Sequence, residues 1–155
     1  MTELELLRRA AELSRVHSLA GEGAPFGAIV ATPDGEIVAE GWNETFAAND
    51  PTAHAEVVVI RRAAQALGRF DLSGHVIYAS CEPCPMCLGA IFWARLDRVV
   101  FANSRDDAAR FGFDDAALYE EVARPLDRRR IRCEHVPLDD ALAVFGEWAR
   151  RAGPA

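Results

Sequence analysis

Apolar residues follow two different patterns along the first part of the chain. Over residues 2–20 they stand at positions 4, 6, 7, 10, 11, 13, 16, 19 and 20, which is the spacing of a helix with one apolar face. Gly21 follows and ends this predicted helix. Two short apolar runs, 27–31 and 36–42, then flank a Pro-Asp-Gly turn. This arrangement predicts an antiparallel β-hairpin.

The rest of the chain alternates predicted helices with short apolar strands. These are a helix opened at 50–52 and continued over 53–67, a strand 75–79, a helix 86–94, strands 98–102 and 131–136, and a helix 138–151. Such an order predicts one α/β domain over residues 1–155. We expect a three-layer α/β/α sandwich with a central five-stranded mixed sheet, antiparallel at the hairpin and parallel where helices connect the strands.

Composition narrows the chemistry that this domain can perform. The 155 residues carry a formal net charge of −7, and all 17 basic residues are arginine. The absence of lysine excludes Schiff-base chemistry and Walker-type phosphate loops. The acidic balance argues against a polyanionic substrate, because neutralisation of phosphates supplies much of the affinity for nucleic acids. A small neutral substrate is therefore expected, with no nucleic-acid partner.

The chain shows no sign of export or of a membrane span. No apolar run approaches twenty residues, and the N-terminal Met-Thr-Glu-Leu-Glu stretch is acidic where a secretory signal is basic. We therefore expect a cytoplasmic protein. A reducing compartment also suits cysteines that bind a metal.

Two short motifs carry the candidate chemistry. His54 and Glu56 are separated by one residue, and Pro83-Cys84-Pro-Met-Cys87 follows some thirty residues later. One histidine and two cysteines are a suitable ligand set for a catalytic zinc ion, whose fourth position is left for water. Glu56 is then placed to carry protons to and from that water. This H-x-E…P-C-x-x-C pattern is the signature of zinc-dependent nucleobase deaminases.

Simpler interpretations of the same residues remain open at this point. The C-x-x-C pair alone is equally typical of a redox site or of half a structural zinc site. A structural site needs a fourth protein ligand, and Cys81, Cys133, His75 and His135 are the available side chains. We interpret Cys81 as a thiol at the end of a strand. His54 and the cysteines are predicted near the starts of two helices, where the free N–H groups favour thiolate over thiol.

Four longer segments resemble the cytidine deaminase superfamily. They are Pro25 to Val30, Asn49 to Glu56, Ser80 to Ile91 and the Gly-Phe-Asp-Asp segment at 112–115. The likeness extends from about Phe26 to Trp148, and within the superfamily it is strongest to bacterial guanine deaminases. The zinc motif is shared by the whole superfamily, whereas Gly-Phe-Asp-Asp is the narrower signal for guanine or its nucleoside.

The resemblance implies a cytidine deaminase-like fold and a mechanism. One zinc ion per chain is held by His54, Cys84 and Cys87. Zinc-activated hydroxide adds to C2 of guanine, and Glu56 passes protons to the adjacent ring nitrogen and to the leaving amine. The products are xanthine and ammonia. A homodimer is also expected, and both a dimer that exchanges its C-terminal segments, as in the family, and one that does not are open alternatives.

Recognition of the base is expected to depend on hydrogen-bonding side chains. Guanine presents N1–H and a 2-amino group as donors, so a carboxylate is a matching acceptor, and similarity to the family gives Asp115 that role. Asp114 is expected to cap the following helix. Asn43 fits a contact to N7 or O6, although asparagine is also an ordinary turn residue.

Three further residues complete the expected substrate contacts. Phe26 and Trp93 have flat rings that can stack on a base, although aromatic residues in apolar runs are more often part of the core. Ala55 lies between the predicted ligand His54 and the proton carrier Glu56.

The C-terminus departs from the family pattern. Guanine deaminases of the family end in an aromatic residue that closes over the active site, whereas this chain continues from Trp148 to Ala155 without one. Guanosine, a triazine or cytosine is therefore an alternative substrate. A tRNA-adenosine deaminase or an inactive zinc scaffold would also carry this zinc motif. The only basic run, 128–130, is expected to be a solvated loop with acidic neighbours.

Overall fold

The computed structural model describes residues 1–152. Its elements are α1 (Glu3–Leu19), β1 (Gly27–Ala31), β2 (Ile37–Trp42), α2 (Ala55–Leu67), β3 (Val76–Cys81), α3 (Pro85–Trp93), β4 (Arg98–Asn103), α4 (Arg105–Ala109), α5 (Ala116–Ala123), a 3₁₀ turn (Leu126–Arg128) and α6 (Asp139–Ala152). The described residues divide into two compact units, residues 1–119 and residues 120 onward. The last three residues of the C-terminus, 153–155, lie outside the described residues. No helix over 1–152 is long and apolar enough to cross a membrane.

The first unit is built on a mixed sheet with the strand order β2-β1-β3-β4. β1 is antiparallel to both of its neighbours, and β3 is parallel to β4. β2 and β3, which α2 connects, consequently run in the same direction. The predicted antiparallel hairpin and the parallel strands joined by helices are confirmed.

The two faces of the sheet are covered by different helices. Along β1, Ala28 and Val30 pack with residues of α2 and α3, whereas Ile29 and Ala31 pack with residues of α1. This alternation follows from the two-residue period of a strand. All five residues of β1 are buried because the strand is covered on both faces. The three-layer α/β/α arrangement is therefore confirmed.

The predicted fifth strand is wrong for this structure, since the sheet has four strands. Residues 132–138 have no regular secondary structure, and the closing helix α6 follows them. The alternation from Ile131 to Val136 is typical of a strand, but a strand also needs a neighbour that accepts and donates its backbone hydrogen bonds. The described part of the second unit contains helical elements and no strand, so residues 131–136 have no partner strand within it.

The start of α2 also differs from the prediction, which opened the helix at residues 50–52. Asp50 accepts hydrogen bonds from the backbone N–H and the hydroxyl of Thr52, at 2.8 and 2.7 Å. This local turn competes with helix formation, and the helix begins only at Ala55. Gly41 of β2 lets this part of α2 approach closely, because a Cβ atom there would lie 2.8 Å from the Ala55 carbonyl oxygen.

Candidate metal centre and substrate pocket

The candidate metal ligands begin two helices that both follow strands. His54 is the N-cap of α2 and Cys84 is the N-cap of α3, and both have extended backbones. Neither side chain makes a capping hydrogen bond. Pro85 occupies the first turn of α3, where its fixed φ suits the helix and its missing N–H is not needed. Both side chains are thus free to point away from their own helices.

The three predicted donors lie close together. Nδ1 of His54 is 3.7 Å from Sγ of Cys84 and 3.5 Å from Sγ of Cys87. Their ligand atoms all lie within 4.8 Å of one another, and both cysteines are free thiols. One imidazole nitrogen and two thiolates form a donor set that zinc prefers, and three protein ligands leave one position open. The residues therefore fit a catalytic zinc ion.

The other histidines and cysteines do not join this group among the described residues. Cys81 is buried at the end of β3, and its Sγ lies 3.7 Å from the carbonyl oxygen of Ser104. Burial raises the pKa of the Cys81 thiol, so it stays protonated. His75 lies 3.2 Å from the carbonyl oxygen of Leu72. The interpretation of Cys81 as a strand-end thiol agrees with this position.

The two ligand thiols share one negative charge when no cation is present. The hydrogen bond from Cys87, followed by that of His54, lowers the pKa of Cys84 to about 4. The same thiolate, together with burial, raises the pKa of Cys87. Two adjacent thiols lose their protons in separate steps for this reason. A bound cation would favour the second ionisation and release that proton.

Glu56 lies on the first turn of α2 and borders the same cavity as His54 and Cys84. Its side chain is only 6% exposed. Burial raises the pKa of this carboxyl group, against the opposing effect of a backbone hydrogen bond. A carboxyl group with a raised pKa can both accept and release a proton near neutral pH.

His54, Glu56 and Cys84 border a cavity of about 320 Å³. Six of the residues that were given a role in catalysis, metal binding or substrate binding border it: Phe26, Asn43, His54, Glu56, Cys84 and Asp115. Two predicted contacts do not reach it. Ala55, the first residue of α2, is buried in the core, and Trp93 is 79% exposed at the end of α3.

Asn43 is buried, and its amide orientation is fixed by three donors. Its Oδ1 accepts hydrogen bonds from the backbone N–H of Ala24 at 3.1 Å, the N–H of Thr45 at 3.2 Å and the Thr45 hydroxyl at 2.7 Å. The amide nitrogen makes no hydrogen bond within residues 1–152. Asn43 therefore offers the cavity a donor, as the expected contact to N7 or O6 requires, while its acceptor oxygen is already used.

The two aspartates before α5 have different surroundings. Asp114 accepts a hydrogen bond from the N–H of Ala116, the first residue of α5, at 2.9 Å, so its carboxylate satisfies one free N–H at the start of this helix. The carboxylate of Asp115 makes no hydrogen bond to another residue of the described chain. Partial burial raises the pKa of Asp115, and attraction by Arg105 opposes that rise. Asp115 is thus an acceptor without a protein donor at the cavity wall.

Several cavity residues were missed by the sequence analysis. Among them are Thr45, Phe46, Glu82, Arg105 and Phe113. The Phe113 ring meets Phe26 edge to face, with ring centres 5.1 Å apart. A usable signal existed for Arg105, which follows β4 by two residues, because ligands of such sheets gather at the carboxyl ends of the strands.

Comparison with known proteins identifies relatives over nearly the full chain. Guanine deaminase of Bacillus subtilis is 47% identical over 148 residues, which cover 96% of this chain and 94% of that protein. Its X-ray structure superimposes with a TM-score of 0.93 at 46% identity, covering 97% of this chain and 95% of that one. A guanine deaminase from Nitrosomonas europaea matches with a TM-score of 0.68 at 30% identity, covering 79% and 66%.

A relative with a different substrate matches over a shorter stretch. The tRNA-specific adenosine deaminase of Haemophilus influenzae is 36% identical over 116 residues, or 72% of this chain and 66% of that protein. The cytidine and deoxycytidylate deaminase zinc-binding region matches residues 1–103, which include His54, Glu56, Cys84 and Cys87. The chain therefore belongs to the zinc-dependent cytidine and deoxycytidylate deaminase family, whose members hydrolyse C–N bonds of amino-substituted heterocycles.

Proposed function

We propose that this protein hydrolyses guanine to xanthine and ammonia. The observation that carries this proposal is a cavity that His54, Cys84, Glu56 and Asp115 all border. Guanine presents N1–H and the 2-amino group as neighbouring donors, and Asp115 offers the acceptor that they need. The 47% identity to a guanine deaminase over 96% of the chain supports the same substrate.

His54, Cys84 and Cys87 would hold the zinc ion. When bound, zinc supplies Lewis-acid activation of water. Glu56 takes a proton from the attacking water and delivers it to N3 of the base, and a second proton passes through the same carboxyl group to the leaving amine. One water is consumed and one ammonia is released for each xanthine formed. The raised pKa of buried Glu56 suits a group that must accept and return protons.

Asn43 and Asp115 would orient the base. Asp115 accepts hydrogen bonds from N1–H and the 2-amino group, while the free amide nitrogen of Asn43 donates to O6 or N7. The three donors that hold Oδ1 of Asn43 make this direction of donation the available one. Phe26 supplies an aromatic face at the cavity wall. Ala55 and Trp93 are not retained as contacts.

The surroundings favour a free base over an RNA substrate. Apart from the ligand His54, the charged residues that border the cavity are Glu56, Glu82, Asp114, Asp115 and Arg105, which gives an acidic wall. In the second unit, the N–H groups of Arg130 and Ile131 are held by Glu121 at 2.6 and 3.3 Å. Acidic neighbours therefore accompany the one basic run, as in an ordinary solvated loop. We propose that the protein acts without a nucleic-acid partner.

We also propose a homodimer in which the two copies exchange their C-terminal segments. β4 is an edge strand of the sheet in the first unit, and Phe101 on it is 42% exposed. In the second unit, Ile131 and Val136 lie in a segment without regular secondary structure and are 77% and 80% exposed. An unpaired strand edge and an unpaired segment are the two requirements of strand exchange between copies. Light scattering should give twice the 16.9 kDa chain mass; a monomer at micromolar concentration would refute this.

The cellular location belongs to the same proposal. All four cysteines are free thiols, and the cytoplasm keeps thiols reduced. We propose that the protein acts there on free purine bases.

The decisive experiment measures ammonia release from guanine, guanosine, cytosine, adenine, a triazine and an adenosine-containing tRNA. The zinc-loaded protein is compared with Glu56→Ala and Asp115→Asn. We expect turnover of guanine alone, a loss of about 100-fold or more for Glu56→Ala with zinc retained, and weaker guanine binding for Asp115→Asn. Turnover of guanosine or a triazine in place of guanine would refute the substrate. Absence of turnover for every compound would instead favour the inactive scaffold.

A further inference from the structure

The turn that carries Cys84 is held from two sides. The N–H of Glu82 donates to the carbonyl oxygen of Asn103 at 2.8 Å, and the Glu82 carboxylate accepts the N–H of Arg105 at 3.0 Å. On the other side, the Tyr119 hydroxyl donates to the carbonyl oxygen of Pro83 at 3.4 Å. Residues far apart in sequence therefore fix the backbone immediately before a metal ligand.

The two residues that reach this turn also contact each other. The guanidinium carbon of Arg105 lies 4.4 Å from the centre of the Tyr119 ring, within the range of a cation–π interaction. Within residues 1–152, the Arg105 side chain forms no ion pair with a carboxylate. Its guanidinium is therefore available to hold the Tyr119 ring, and both side chains are half-buried.

Tyr119 lies one helical turn after Asp115. The carbonyl oxygen of Asp115 accepts the N–H groups of Leu118 at 2.9 Å and of Tyr119 at 3.3 Å, as in the first turn of a helix. Because the Asp115 carboxylate has no hydrogen-bond partner among the described side chains, its place at the cavity is set by its backbone. That backbone forms one helical turn with Tyr119, so contacts that fix the Tyr119 side chain also limit the movement of this turn. A chain of contacts thus leads from the Cys84 turn through Tyr119 to Asp115.

We propose that Arg105 and Tyr119 are positioning residues that hold Asp115 at a fixed distance from the Cys84 turn. This inference rests on the proposed function, in which Asp115 accepts the N–H donors of guanine. The distance matters because one rigid base must satisfy both ends of the site: its donors meet Asp115 while its amino-bearing carbon faces the metal ligands. A misplacement of about 1 Å can lower the rate about a hundredfold in such sites.

The chain offers matched controls for both residues. Its other tyrosine, Tyr78, is buried on β3, and its hydroxyl lies 3.5 Å from Arg98. Neither residue of this second arginine–tyrosine pair borders the cavity. Arg105→Met is therefore compared with Arg98→Met, and Tyr119→Phe with Tyr78→Phe. Each pair loses the same chemical group at a different place.

Guanine affinity is measured by calorimetry in zinc-loaded protein that also carries Glu56→Gln, so that turnover does not consume the ligand. We expect Arg105→Met to raise the guanine Kd about threefold to thirtyfold, the range of a cation–π contact. Tyr119→Phe, which keeps the ring, should raise it about twofold to threefold, as expected for one long hydrogen bond. Both controls should leave the guanine Kd unchanged, and every variant should keep its zinc.

A double variant separates positioning from direct contact. If Arg105 acts through Asp115, then Arg105→Met with Asp115→Asn should bind guanine as weakly as Asp115→Asn alone. If the increases in guanine Kd caused by the two single substitutions multiply in the double variant, the proposal is overturned, since Arg105 would then contact the base itself. Loss of zinc in Arg105→Met, or an equal effect in the controls, would also overturn it. If Asp115→Asn alone leaves the guanine Kd unchanged, the proposed role of Asp115 fails instead.

Discussion

Four helices of the first unit fall into two pairs that differ in the side chain at the N-cap. α1 and α4 begin with capping boxes, in which Thr2 pairs with Glu5 and Ser104 pairs with Asp107. α2 and α3 begin with His54 and Cys84, whose side chains make no capping hydrogen bond. The first pair satisfies free backbone N–H groups with its own side chains. The second pair directs its N-cap side chains to a common point outside the helices.

The difference shows where the fold gives up local stability for chemistry. A good N-cap is worth about 1 kcal/mol relative to alanine, and α2 and α3 forgo this contribution at both ligand positions. In return, three donors converge within 4.8 Å. We infer that a bound cation, rather than side-chain capping, stabilises the junction between these two helix starts.

Removal of the metal is expected to have the largest effect. Lewis-acid activation contributes several kcal/mol, so chelated protein should release ammonia about a thousandfold more slowly or worse. Stability should fall by about 4 kcal/mol relative to protein with free zinc at a thousand times its Kd. Ammonia assays and denaturant unfolding before and after zinc is restored measure both. Unchanged activity in metal-free protein would contradict this, because His54 and Cys84 would then not replace capping with metal binding.

Exchanging one type of helix start for the other is the next test. His54→Ser removes a ligand and supplies α2 with a capping hydroxyl. In metal-free protein this variant should be more stable than the parent by about 1 kcal/mol, whereas with zinc the parent should be the more stable and the variant inactive. The order of the two unfolding midpoints should therefore reverse between chelator and zinc. If the variant is less stable under both conditions, His54 has a packing role in addition to metal binding.

The metal centre was predictable because each half of it is local in sequence. His54 and Glu56 belong to one helix start and Cys84 and Cys87 to another, and the apolar patterns placed both helices after strands. The strand over 27–31 was likewise recognisable as a continuous apolar run between turn signals. Such features depend on neighbours within a few residues, which is the information that a single sequence carries.

The predictions that failed depend on residues that are distant in the sequence. The predicted strand over 131–136 needed a partner strand that its pattern does not specify. Trp93 belongs to an apolar helix whose sequence does not distinguish the face toward the cavity from the face toward solvent. The contacts of Arg105 and Tyr119 join residues that lie 14 to 36 positions apart in the sequence. Long-range contacts of this kind require the fold before they can be recognised.

Loss of the N-cap of α1 should lower the stability of the protein and leave its activity unchanged. Thr2→Ala removes the hydroxyl that accepts the N–H of Glu5 at 3.3 Å, and should cost about 1 kcal/mol of unfolding free energy with or without zinc. Turnover of guanine should be unchanged, because α1 contributes no residue to the cavity of the metal centre. Urea unfolding and ammonia release test this together. A cost that appears only in the zinc-loaded protein would show that the two types of helix start are coupled.

The smallest expected effect concerns the acid in the same capping box. Hydrogen bonds from the backbone N–H and the hydroxyl of Thr2 lower the pKa of Glu5 below its ordinary value of 4.5. Ionised Glu5 therefore stabilises the fold fully above pH 4.5, and this contribution declines as the pH falls through the lowered folded-state pKa. Glu5→Gln keeps a capping side chain but has no such titration. In metal-free protein, the parent should exceed Glu5→Gln in stability at pH 7 by a small margin that shrinks toward pH 3. Unfolding midpoints at the two pH values measure this, and a margin that grows in acid would contradict it.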